Sequence, residues 1–202
     1  MNPPRKRRAD ARHSRAAILD AATTVLNDQP DASVEAIAAA ADVTRQTVYA
    51  HYPSRERLLH AVLARITEST AAAMDAALPD DGPAAEALLR VLDAAAGESA
   101  RYPVLLQQIN ALPATPETAR EQHTPIADRL ARVIRRGQAA GEFDASLPLA
   151  WLVSVTIRLA HAAAEEAAGG RMSAEAATQA RTLSLMRVLG ARRAGQAGQD
   201  PA

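Results

Sequence analysis

The chain has 202 residues, with 23 basic and 23 acidic side chains, 48% hydrophobic residues, 2% aromatics and no cysteine. That composition supplies a buried core for one or two domains and excludes a disordered or collagen-like chain. The missing cysteine excludes disulfide scaffolds, thiolate metal sites, iron–sulfur clusters and cysteine nucleophiles.

About a quarter of the chain is alanine, the best helix former, and the β-branched and aromatic residues that favour strands are scarce. An all-α fold is therefore predicted. The N-terminal residues 1–9 read as a basic flexible arm. Across residues 1–15, Arg5, Lys6, Arg7, Arg8, Arg12 and Arg15 face Asp10 alone, so the neutral total hides a positive start and a mildly acidic remainder. Such a run is either a solvated tail or an arm that enters a DNA minor groove. It lacks the apolar run of a signal peptide, and no apolar stretch reaches the ~18 residues that a bilayer span requires. A cytoplasmic protein with no membrane partner is expected.

Ile18, Ala22, Val25 and Leu26 form one apolar stripe on a helix from about Asp10 to Asn27, stopped by Asp28 and Pro30. Ser33 caps a short helix running to about Ala41, with Val34, Ile37, Ala38 and Ala41 facing inward. After a tight break at Asp42-Val43, Thr44 caps a third helix from Arg45 to about His51, and Pro53 forces an exit. Two short helices joined by such a turn form a helix-turn-helix, so residues 10–53 are assigned to that domain. A long helix follows from Ser54, and further helices are predicted at about 83–98, 101–111, 116–140, 148–168 and 173–194. Residues 54–194 are assigned to a second, helical domain and 195–202 to a disordered tail.

A short helix fits the roughly 12 Å major groove with its N-terminal residues on base edges, and Arg and Gln pair bidentately with guanine and adenine. Arg45 and Gln46, flanked by Thr44 and Thr47, stand at that end of the third helix.

The stretch SVEAIAAAADVTRQTVYAHYPSRERLL, residues 33–59, resembles the DNA-binding signature of the tetracycline-repressor (TetR/AcrR) family of bacterial regulators. The resemblance rests on Ile37, Ala38, Ala41, Val43, Thr47, Tyr49, His51, Ser54, Glu56 and Leu58, with close replacements at Ser33, Thr44, Tyr52 and Arg55. It implies that Tyr49, His51, Ser33 and Arg55 clamp the phosphate backbone, and Arg55 also lies in a first helical turn, where backbone amides attract phosphate. Tyr52 reads as core, and His51 fits phosphate contact and simple packing equally well. Asp42 departs from the pattern, taking the place of the family's turn glycine, where the backbone is commonly left-handed.

The resemblance further implies a ligand-sensing and dimerisation domain, binding of a palindromic operator as a homodimer, and repression relieved by a small-molecule effector. Apolar faces at Leu149, Leu152, Val153, Thr156, Leu159 and Ala160, and at Leu183, Met186, Val188 and Leu189, fit a four-helix dimer bundle. Polar or aromatic groups on otherwise apolar helices are the effector candidates: Tyr102, Gln107, Gln108, Asn110, His123, Trp151, Arg158 and His161. No metal or cofactor is expected, because the five His residues do not cluster with carboxylates at ligand spacing. No catalytic loop or nucleophile motif occurs, so an enzyme is the remote alternative. A helical small-molecule binder without DNA binding is the nearer one.

Overall fold

The computed structural model describes residues 3–77, 82–110 and 116–191, with side chains described from residue 11 onward except at 110 and 116–122. Among the described residues the secondary structure is helical throughout: α1 (Pro3–Asp28), α2 (Val34–Ala40), α3 (Arg45–His51), α4 (Arg55–Ala76), α5 (Ala84–Ser99), α6 (Pro103–Asn110), α7 (Pro116–Ala139), α8 (Leu149–Ala168) and α9 (Ala174–Val188). None of these helices is long and apolar enough to cross a membrane.

The helix start is corrected at the N-terminus. Residues 1–9 were expected to form a flexible arm, yet α1 is helical from Pro3. Proline is tolerated in a first turn, whose amide hydrogens lack intrahelical partners anyway, and nothing between Arg5 and Ala17 breaks the helix. At the other end α9 stops at Val188, short of the expected 194. Gly190 adopts φ +59°, and the amides of Gly190 and Ala191 donate to the carbonyls of Arg187 and Met186 at 3.2 and 3.0 Å, which closes the helix in a Schellman turn. The tail at 195–202 lies outside the described residues.

The chain divides into two compact units, one of Met1–Ser69 and Ser99–Gln122, the other of Thr70–Glu98 and His123–Ala202. The boundary therefore does not fall at residue 53, and it is discontinuous in sequence. The reason is the apolar stripe of the neighbouring helices. Leu58, Leu59, Val62 and Ile66 of α4 and Leu105 and Ile109 of α6 share one core with Ile18, Ala22 and Leu26 of α1, Ile37 and Ala38 of α2 and Val48 of α3. Polar ties add to this packing: Asn27 Nδ2 donates to the Arg101 carbonyl at 3.3 Å, and the Leu105 amide donates to Asn27 Oδ1 at 3.4 Å.

The second unit has its own core, built on Met74, Leu88, Val91, Leu130, Ile134, Phe143, Leu152, Leu185 and Leu189. The Phe143 ring lies against Gly137 of α7 so closely that an added Cβ would collide with it. Buried Arg181 of α9 donates through Nη2 to Asp93 Oδ1 of α5 at 2.6 Å. Helices α8 and α9 pack together, joined through Gly169 and Gly170.

Candidate nucleic-acid interface

Three short-range devices shape the α2–α3 segment. Ser33 caps α2 by accepting from the Ala36 amide at 3.2 Å. At the far end Asp42 stands at φ +52°, the only positive φ at a non-glycine residue among those described. The Asp42 and Val43 amides donate to the carbonyls of Ala39 and Ala38 at 3.2 and 3.0 Å, again a Schellman turn, here with aspartate where glycine is usual. Thr44 then caps α3: its Oγ1 accepts from the Thr47 amide at 3.1 Å and shares a hydrogen bond with Thr47 Oγ1 at 2.9 Å. The turn and the Thr44 cap fix how α3 leaves α2.

One face of α3 is buried through Val48, and the chain leaves through buried Tyr52, whose amide donates to the Val48 carbonyl at 2.8 Å. The expectation that Tyr52 belongs to the core holds, with the Arg15 guanidinium 5.7 Å from its ring centroid. Arg45, Gln46 and Tyr49 on the same helix are all exposed. Arg45 is ion-paired with Glu35 of α2, its Nη2 lies 3.5 Å from Tyr49 Oη, and its guanidinium stands 5.3 Å from the Tyr49 ring centroid. The hydrogen bond to Tyr49 and then the charge of Glu35 raise the Arg45 pKa further. His51 is half-buried beside Tyr52, ring centroids 6.4 Å apart.

Arg55 is the clearest departure from the expected contact set. Its Nη1 donates to the Ala32 carbonyl at 2.6 Å and its Nη2 to the Pro30 carbonyl at 2.5 Å, so the guanidinium ties α4 to the α1–α2 connection. A cation within reach of two carbonyl oxygens is held there by charge-assisted bonds. Ser54 meanwhile caps α4, accepting from the Arg57 amide at 3.1 Å.

The effector candidates separate. Tyr102 packs half-buried against the core of the first unit, and Gln108 Nε2 donates to the Pro30 carbonyl at 2.9 Å. Gln107 is exposed on the same helix. The Asn110 side chain lies outside the described residues. In the second unit His123 of α7 and His161 of α8 come together, ring centroids 5.3 Å apart, with Arg158 exposed one turn before His161. Desolvation, followed by the neighbouring His123, lowers the His161 pKa from its ordinary 6.5, although the residue as a whole is exposed. Trp151 is 57% exposed and shares no cluster with them. Glu35 was not singled out by its sequence context. The available signal was a carboxylate in the first turn of α2, one tight turn away from a cation in the first turn of α3.

The profile described as bacterial regulatory proteins, tetR family, matches residues 18–62, which run from α1 into α4. The crystal structure of the TetR-like transcriptional regulator LfrR from Mycobacterium smegmatis, in complex with proflavine, is 33% identical and aligns over 86% of this chain and 95% of its own, with a TM-score of 0.56. The chain belongs to the tetR family of bacterial regulatory proteins. The curated HTH-type transcriptional repressor LfrR of Mycolicibacterium smegmatis is 46% identical over 80 residues, a match covering 40% of this chain and 42% of that relative's length. A TetR-family transcriptional regulator from Rhodococcus sp., 22% identical, shares the fold over 87% of this chain and 98% of its own, with a TM-score of 0.70.

Proposed function

We propose that this tetR-family protein is a ligand-responsive transcriptional repressor that acts by binding, not by catalysis, and grips a palindromic operator as a homodimer through α3. The observation that carries this reading is the exposed set of Arg45, Gln46 and Tyr49 on a capped helix that is buried through Val48. That is the arrangement by which a recognition helix offers side chains to a major groove. Arg45 and Gln46 read base edges, while Tyr49, Thr44, Thr47, Ser33 and His51 hold phosphates.

Dimerisation is assigned to α8 and α9. Trp151 and Leu183 are 57% and 50% exposed, and large apolar groups left open on a packed helix pair mark an interaction surface. A homodimer offers two recognition helices to the successive half-sites of a palindrome, about 34 Å apart along the duplex. The effector is assigned to the second unit beside His123 and His161, with Arg158 favouring an acidic group. Because the lowered pKa keeps His161 neutral near neutral pH, its ring offers one donor and one acceptor there.

Unbiased selection of genomic fragments bound by the full chain tests the DNA reading. The expected product is a palindrome, and recovery of random fragments would overturn it. Sedimentation at micromolar concentration is expected to show a dimer that Trp151→Glu splits into monomers.

A further inference from the structure

Glu35 has no part in the contact set above, yet it is the partner of Arg45. It stands in the first turn of α2, where a hydrogen bond from its own backbone amide, then the Arg45 charge and a bond from Ser33, hold its carboxyl below the ordinary 4.5. In the structure the carboxylate is ion-paired with Arg45 across the turn. Both partners are more than half exposed, 59% for Arg45 and 54% for Glu35, and exposed pairs contribute little to stability. The pair therefore has little structural purpose of its own.

A lone exposed arginine samples many rotamers and finds phosphates readily, and phosphate contacts carry no sequence information. Arg45 is not free in this way, because Glu35 holds it on one side and the Tyr49 ring and hydroxyl on the other. A guanidinium has five donors, so edges remain for the two acceptors of guanine. The Glu35 charge also repels the phosphate backbone whatever its sequence. We infer that Glu35 is a specificity-determining positioning residue, which aims Arg45 at a base edge and lowers affinity for DNA in general. The inference rests on α3 being the recognition helix.

The test starts from duplexes selected out of a randomised pool by the full wild-type chain. The preferred duplex, its single-base variants and an unrelated duplex are then titrated with wild type, Arg45→Ala, Glu35→Gln and Glu35→Asp, each checked by far-ultraviolet melting. Arg45→Ala is expected to remove preference at one base pair per half-site. Glu35→Gln is expected to cut preference at that same base pair about fivefold and to tighten the unrelated duplex about threefold, with wild-type melting. Glu35→Asp keeps the charge but is one methylene short, so it is expected to lose the discrimination without the general tightening. If Glu35→Gln keeps the preference that Arg45→Ala loses, the positioning role is overturned and the reading of α3 stands. If Arg45→Ala changes preference nowhere, the recognition-helix reading falls and this inference with it. A Glu35→Gln chain that is unfolded at the assay temperature would make Glu35 structural and overturn the inference as well.

Discussion

In the first unit the residues assigned to DNA lie in one stretch, from Ser33 to His51, and three of them bond a neighbour within a few positions, Ser33 to Ala36, Thr44 to Thr47 and Arg45 to Tyr49, with Glu35 across one turn as the further partner of Arg45. In the second unit His123 and His161 meet only because α7 and α8 pack on a shared core, and no local motif announces the pair. A surface built from caps and turns is specified by short-range chemistry, whereas a site built across helices is specified by packing. The two should therefore fail in different ways when mutated.

Packing is where the largest loss is expected. Leu88 is fully buried in the second core, and Leu88→Ala should cost about 2–5 kcal/mol in urea unfolding, the range for a leucine truncated in a close-packed interior. A loss under about 1 kcal/mol would mean that the surrounding side chains collapse into the space, and the assignment of this unit to packing would weaken.

Arg55 separates local from long-range reasoning inside the first unit. The sequence pattern offers it as a phosphate contact, but the structure gives its guanidinium to the Ala32 and Pro30 carbonyls. Arg55→Ala is expected to destabilise the protein by about 1.5–3 kcal/mol, the value of bonds to a charged donor. The slope of log K against log salt should stay unchanged, where loss of a phosphate contact would shift it by about one. A shallower slope with unchanged stability would restore the sequence reading.

These cases show what was legible and why. The helix order and the caps at Ser33 and Thr44 were legible because each depends on a residue and its immediate neighbours, and the left-handed site at Asp42 was legible through the family pattern it departs from. The unit boundary was not, since α6 joins the first unit through Leu105, Ile109 and Gln108, far in sequence from the α1 and α2 residues they meet. Tyr102 and Gln108 read as effector candidates for the same reason: polarity on an apolar helix does not reveal which core the helix serves. The Glu35–Arg45 pair was missed because charge complementarity across a turn becomes visible only once the turn geometry is known.

The histidine pair gives a pH-dependent form of the comparison. His161 has a folded pKa below its ordinary 6.5, so the unfolded chain takes up its proton first. Its contribution is fully present above that value and is lost as pH falls from 6.5 toward the lowered folded value. Thermal melts below pH 6.5 should decline more steeply in wild type than in His161→Gln. Equal slopes would show that the surroundings of His161 do not disfavour its charge.

The smallest effect is expected at Asp42, where a local rule is bent. An L-residue in the left-handed region costs about 1–2 kcal/mol, less for Asp than for most, while glycine has no such penalty. Glycine also leaves the unfolded chain with more freedom, which offsets part of the gain. Asp42→Gly should therefore raise stability by less than about 1 kcal/mol. It also removes a negative charge in the turn leading into α3, so binding to unrelated duplexes should tighten at low salt and converge on wild type as salt rises. A variant that melts lower would place the Asp42 carboxylate, not the backbone of the Schellman turn, in charge of holding α2 against α3.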